Sequence, residues 1–105
     1  MHKVIEERRA EIAEVCRRFA VRRLEVFGSA ARGDDFDRVR SDADFLVTFD
    51  ADAGASPLKR YLDFAETLEA LLGRRVDLLD REALEQNRNH FRRRAILADA
   101  QPIYG

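Results

Sequence analysis

Three aspartates and one Gly-Ser pair have types and spacing that could do chemistry. Asp42 and Asp44 stand two apart at the start of Ala-Asp-Phe-Leu-Val-Thr-Phe, residues 43–49. In a strand, residues two apart share a face. Both carboxylates therefore project together, while Phe45, Val47 and Phe49 take the other face, toward a core. Asp77 lies inside a second short apolar run, beside Val76, Leu78 and Leu79. An acid there is costly to bury without a partner. A divalent cation shared with Asp42 and Asp44 would supply that partner. Mg²⁺ suits the set, because it takes few carboxylates and fills its shell with water and phosphate oxygens. Taken singly, Asp42 and Asp44 would also fit a solvated loop-to-strand junction, and Asp77 an edge-strand acid paired to Arg74 or Arg75.

Gly28 and Ser29 follow the first apolar strand, residues 22–27. Glycine permits an unusual turn and close approach of a phosphate. The helix expected to open at Ser29 offers free N–H groups and the positive end of its dipole to an anion. The Ser29 hydroxyl would add a bond, and Arg32 would reach a phosphate. A phosphate cradle joined to a carboxylate set describes phosphoryl or nucleotidyl transfer. Two Mg²⁺ ions are expected, one lowering the pKa of an acceptor hydroxyl and one holding the triphosphate and the departing pyrophosphate. In-line attack on the α-phosphate would leave NMP on the acceptor, with Asp77 placed to act as general base.

The elements that must position these residues follow from periodicity. Residues 2–19 predict an amphipathic helix with Ile5, Ile12, Val15, Cys16 and Phe19 on its apolar stripe. Strands are expected at 22–27, 43–49 and 75–79, with a loop at 33–41. Ser56 caps a helix with Pro57 at its first position and Gly73 as its stop, burying Leu58, Tyr61, Leu62, Ala65, Leu68 and Leu72. Two short helices at 81–87 and 89–99 and an edge strand at 102–104 complete one α/β domain over residues 1–105, a mixed sheet of three or four strands with helices packed against it.

Charged residues make up 37% of the chain and hydrophobic ones 46%, which reads as globular. The net charge of −1 argues against a nucleic-acid coat or a membrane-surface role. The balance is uneven, however. Residues 34–52 carry Asp34, Asp35, Asp37, Asp42, Asp44, Asp50 and Asp52 against Arg38 and Arg40, a local acidic excess suited to a cation. Residues 81–105 are instead rich in arginine: Arg81, Arg88, Arg92, Arg93 and Arg94. The run Arg92, Arg93 and Arg94 with Arg88 reads as a solvated helix face, or as a docking patch for an acidic partner or for RNA held by that partner. One cysteine, Cys16, excludes an internal disulfide. With no apolar leader-like start, a cytoplasmic location is expected. His2 and His90 lack companions at ligand spacing.

Residues 26–47, VFGSAARGDDFDRVRSDADFLV, resemble the GS…DxD signature of the polymerase-β-like nucleotidyltransferases, in the form carried by the MNT-type (minimal nucleotidyltransferase) antitoxins. The similarity continues through LLGRRVDLLD at 71–80 and FRRRAILADAQPIYG at 91–105, so it spans nearly the whole chain. The resemblance implies phosphate contacts at Gly28 and Ser29, a metal-ligand pair at Asp42 and Asp44, and the third carboxylate at Asp77. It further implies an antitoxin that transfers AMP from ATP to a tyrosine of a partner HEPN-domain toxin. Ser29 and Asp42 are separated by twelve residues where the family usually has ten. Extra surface-loop residues are tolerated thermodynamically, so the longer 33–41 segment leaves the site's logic intact. A catalytically idle antitoxin acting by binding, and a small-molecule nucleotidyltransferase, are the alternatives. Neither a membrane nor direct nucleic-acid binding is expected.

Overall fold

A computed structural model describes residues 3–32, 43–51 and 56–105, with Ser29 and Arg32 described by their backbone alone. Strand β1 (Val21–Phe27) runs antiparallel to the central β2 (Ala43–Phe49), and β3 (Val76–Asp80) lies parallel to β2 on its other side. Strand β4 (Gln101–Tyr104) pairs antiparallel with β1, giving the order β3-β2-β1-β4. This is the expected mixed sheet, with four strands.

Alternation along β1 and β2 divides the core between the two sheet faces. On one face, Leu24, Val26, Phe45 and Val47 are fully buried. They pack with Ile5 of α1 (Lys3–Glu7), with Ile12, Val15 and Cys16 of α2 (Arg9–Arg18), and with Phe64, Leu68 and Leu72 of α4 (Pro57–Leu72). On the other face a smaller cluster joins Phe27 and Leu46 to Leu84 of α5 (Arg81–Glu85), with Ile96 and Leu97 of α6 (His90–Asp99) against it. Burying a leucine or phenylalanine from water contributes about 1.5–3 kcal/mol. The larger cluster therefore carries most of the fold.

The stop and start signals hold where a specific bond enforces them. Ser56 accepts from the Lys59 N–H at the N-terminus of α4, and Gly73 ends that helix at φ +67°, donating to Glu69 O at 2.9 Å. Two expectations are corrected. The predicted helix over 2–19 is broken at Arg8, whose N–H bonds Ile5 O at 3.2 Å, three residues back, instead of four. The apolar stripe continues across that one-residue tightening, so periodicity does not reveal it. In α4 the buried stripe centres on Phe64 and Leu68, which turns Leu62 outward; Leu62 is 52% and Leu58 67% exposed. Among the described residues, no helix is long and apolar enough to cross a membrane.

Candidate active site

Register places the two described carboxylates side by side. Asp44 pairs with Asp77 across the parallel β2–β3 ladder and with Phe27 across the antiparallel β1–β2 ladder. Directly paired residues project from the same face, and neighbouring strands are roughly 4.8 Å apart. One row across the sheet thus reads Phe27, Asp44, Asp77, and the next reads Glu25, Leu46, Leu79. The row lies at the C-terminal end of β1 and the N-terminal end of β2, on the face covered by α5 and α6.

Gly28 completes the row. Its φ of +69° lies in the left-handed region that favours glycine. A Cβ at this position would stand 2.6 Å from Oδ2 of Asp44, so the carboxylate lies directly against the bare backbone of the turn. The chain then enters α3 (Ser29–Arg32), whose Ala31 N–H donates to Gly28 O at 3.1 Å. Ala30 and Ala31 are buried, and Gln101 Nε2 donates to Ala31 O at 3.4 Å, tying the turn to β4. Small side chains let α3 sit low against the sheet, which holds the turn beside Asp44.

Asp77 departs from expectation in its burial. Strand β3 is an edge strand and Asp77 is exposed, so no desolvation cost demands a partner for it. Its place in the site rests on register alone. Next to it, the Tyr61 hydroxyl donates to the Leu78 carbonyl and clamps α4 onto β3. Burial, then the charges of Asp77 and Asp80, push the Tyr61 pKa up, so its hydroxyl stays protonated as a donor.

The sequence-predicted residues therefore divide in two. Asp44, Asp77 and the Gly28 turn come together. Asp42, the side chains of Ser29 and Arg32, and the 33–41 segment lie outside the described residues. Among the described residues no cluster of three metal-ligating side chains occurs. Sequence reading missed Glu25, which is buried one row below Asp44 and bonded to the Arg81 guanidinium, with Arg23 Nε 3.6 Å away. Nothing local in β1 signals it, since Arg81 lies 56 positions away in the chain. A cleft of about 270 Å³ between Phe49, Arg60, Tyr61 and Asp80 lies at the other end of β2, apart from the carboxylate row.

The nucleotidyltransferase domain family matches residues 9–103. The chain belongs to that family. Among known nucleotidyltransferases it is similar to protein adenylyltransferase MntA of Thermococcus cleftensis, 42% identical over 72 residues that cover 69% of this chain and 68% of the relative. A solved minimal nucleotidyltransferase superposes with a TM-score of 0.73 at 33% identity, covering 97% of this chain and 96% of that one. The MNT antitoxin complex with the tri-AMPylated Shewanella oneidensis HEPN toxin shares the fold, with a TM-score of 0.61 at 17% identity over 95% of this chain and 71% of that one.

Proposed function

We propose that this nucleotidyltransferase is an Mg²⁺-dependent protein adenylyltransferase, a single catalytic domain over residues 1–105, that transfers AMP from ATP to a tyrosine hydroxyl of a HEPN-domain toxin and so acts as its antitoxin. The observation that carries the chemistry is the row Phe27, Asp44, Asp77 with the Gly28 turn against Asp44. The resemblance to the Thermococcus adenylyltransferase and the fold shared with the antitoxin of the tri-AMPylated Shewanella complex support the nucleotide and the partner.

The donor set fits a hard divalent cation. Asp44 and Asp77 offer carboxylate oxygens from adjacent strands, and Gly28 leaves room for the Asp44 carboxylate where any side chain would collide with it. Asp42, two residues before Asp44, is the third ligand in this reading. Bound Mg²⁺ would screen the triphosphate charge and acidify the acceptor hydroxyl.

The chain's own groups do the rest. Gly28 and Ser29 orient the triphosphate through backbone N–H groups and the Ser29 hydroxyl, and Arg32 steadies it. The acceptor oxygen attacks the α-phosphorus, the bond to the bridging oxygen of the β-phosphate breaks, and pyrophosphate leaves with that electron pair. Asp77, exposed beside the row, takes the acceptor proton.

Transfer of α-labelled ATP to the purified HEPN-domain partner tests the reading. Label on the wild-type partner, lost with chelator and lowered about a hundredfold or more by Asp44→Asn, is the expected result. Absence of label from any NTP, in a complex that nevertheless forms, would leave an antitoxin that works by binding.

A further inference from the structure

The first turn of α6 combines three features that no packing among the described residues explains. Phe91 is 88% exposed, far more than Leu58 or Leu62. Arg88, Arg92 and Arg94 around it are exposed, and among the described residues their side chains form no ion pair or hydrogen bond. Residues 86–98 contain four arginines and no acid, in a chain with 20 acids against 19 bases. Only Arg93 turns inward, donating to Glu85 O at 3.0 Å and meeting His90 Nδ1 at 2.8 Å. The first turn of α6 thus holds Arg92 and Arg93 and no acid, which opposes the positive end of the helix dipole. Intrinsic helix stability would favour the opposite charge there.

The patch also has a direction. Ile96 and Leu97 face the Phe27–Leu46 cluster, so the outer stripe is Phe91, Ala95 and Ala98, at helical spacings of four and three. Arg92 lines a shallow cleft with Leu79 and Asp80. Leu79 follows Asp77 by two residues on the same strand face, roughly 6.6 Å along β3. The α6 face thus reaches, through Arg92, the same face of β3 that carries Asp77.

We infer that this face of α6 docks the polypeptide acceptor through an apolar recess rimmed with carboxylates: Phe91 fills the recess, and Arg88, Arg92 and Arg94 meet the acids. The inference rests on the adenylyltransferase reading above and adds the surface that selects the acceptor. Charge complementarity fixes the sign of the partner. The Phe91–Ala95–Ala98 stripe is a helix-packing surface, which favours protein over RNA as its occupant.

Calorimetric titration of the wild-type chain and of a Phe91→Ala, Arg92→Glu, Arg94→Glu variant with the HEPN-domain partner tests the surface. Mg²⁺-ATP binding and thermal unfolding of both chains are measured alongside. The variant should bind the partner about 30-fold or more weakly, with nucleotide binding and unfolding unchanged, and raised salt should weaken the wild-type complex. Equal binding by both chains would overturn the docking surface and leave the enzyme reading standing. No binding by the wild type would overturn the enzyme reading together with the surface. Wild-type binding to a single-stranded RNA oligonucleotide that the variant loses, with partner affinity unchanged, would overturn the protein assignment in favour of RNA.

Discussion

A methyl group at position 28 would meet Oδ2 of Asp44 at 2.6 Å, and φ there is +69°. Gly28→Ala therefore strains the turn and displaces a carboxylate together. Nucleotidyl transfer should fall to background, and urea unfolding should show a loss of about 1–2 kcal/mol. Cys16 tests burial instead of chemistry. It is fully buried against α4 and the sheet, and desolvation, opposed by the Arg17 charge, pushes its thiol from 9.0 up to about 12. Below pH 9 the thiol is protonated in both folded and unfolded chains. Between pH 9 and 12 the unfolded chain releases the proton and the folded chain keeps it, so stability falls as pH rises through that window. Cys16→Ala should flatten that alkaline slope whatever its offset at neutral pH, as urea midpoints measured from about pH 8 to about pH 11 would show. An unchanged slope would place the thiol in contact with water.

Asp80 ends β3 and caps α5, accepting from the N–H of Glu82 at 2.9 Å and of Ala83 at 3.3 Å. Asp80→Ala should lower stability by about 1 kcal/mol. Glu25 and Arg81 join β1 to the start of α5 in a similar way, with the carboxylate buried. Arg81→Met leaves that charge with only the longer Arg23 contact and should lower stability by about 2 kcal/mol, whereas adding Glu25→Met should restore most of it. A double variant no more stable than the single would show that the pair contributes more than its own desolvation. Elements such as α4 were legible because each end carries its own signal: Ser56 and Pro57 at the start, Gly73 at the stop. The central strand was legible because alternation puts Phe45 and Val47 on one face and Asp44 on the other. The break at Arg8 was not, because a single tightened bond leaves the apolar stripe unbroken. Glu25 was not, because its partner lies 56 positions away in the chain. The outward turn of Leu62 depended on which side of α4 meets the sheet, which spacing alone does not settle.

For the whole molecule, the sheet divides its work by face. One side buries the large core under α1, α2 and α4, and the other carries the carboxylate row beneath α5 and α6. The candidate site was legible as residue types at strand spacing. What sequence could not supply was register: Asp77 belongs with Asp44 because β3 pairs in parallel with β2, not because it is buried. The central claim is that this row transfers a nucleotide to protein. Its most direct test is intact-protein mass spectrometry of the HEPN-domain partner after incubation with the chain, Mg²⁺ and ATP, beside an Asp44→Asn, Asp77→Asn variant run in parallel. The account predicts a gain of one or more AMP masses on the partner with the wild type and none with the variant. An identical gain with both chains would place the chemistry elsewhere and contradict it.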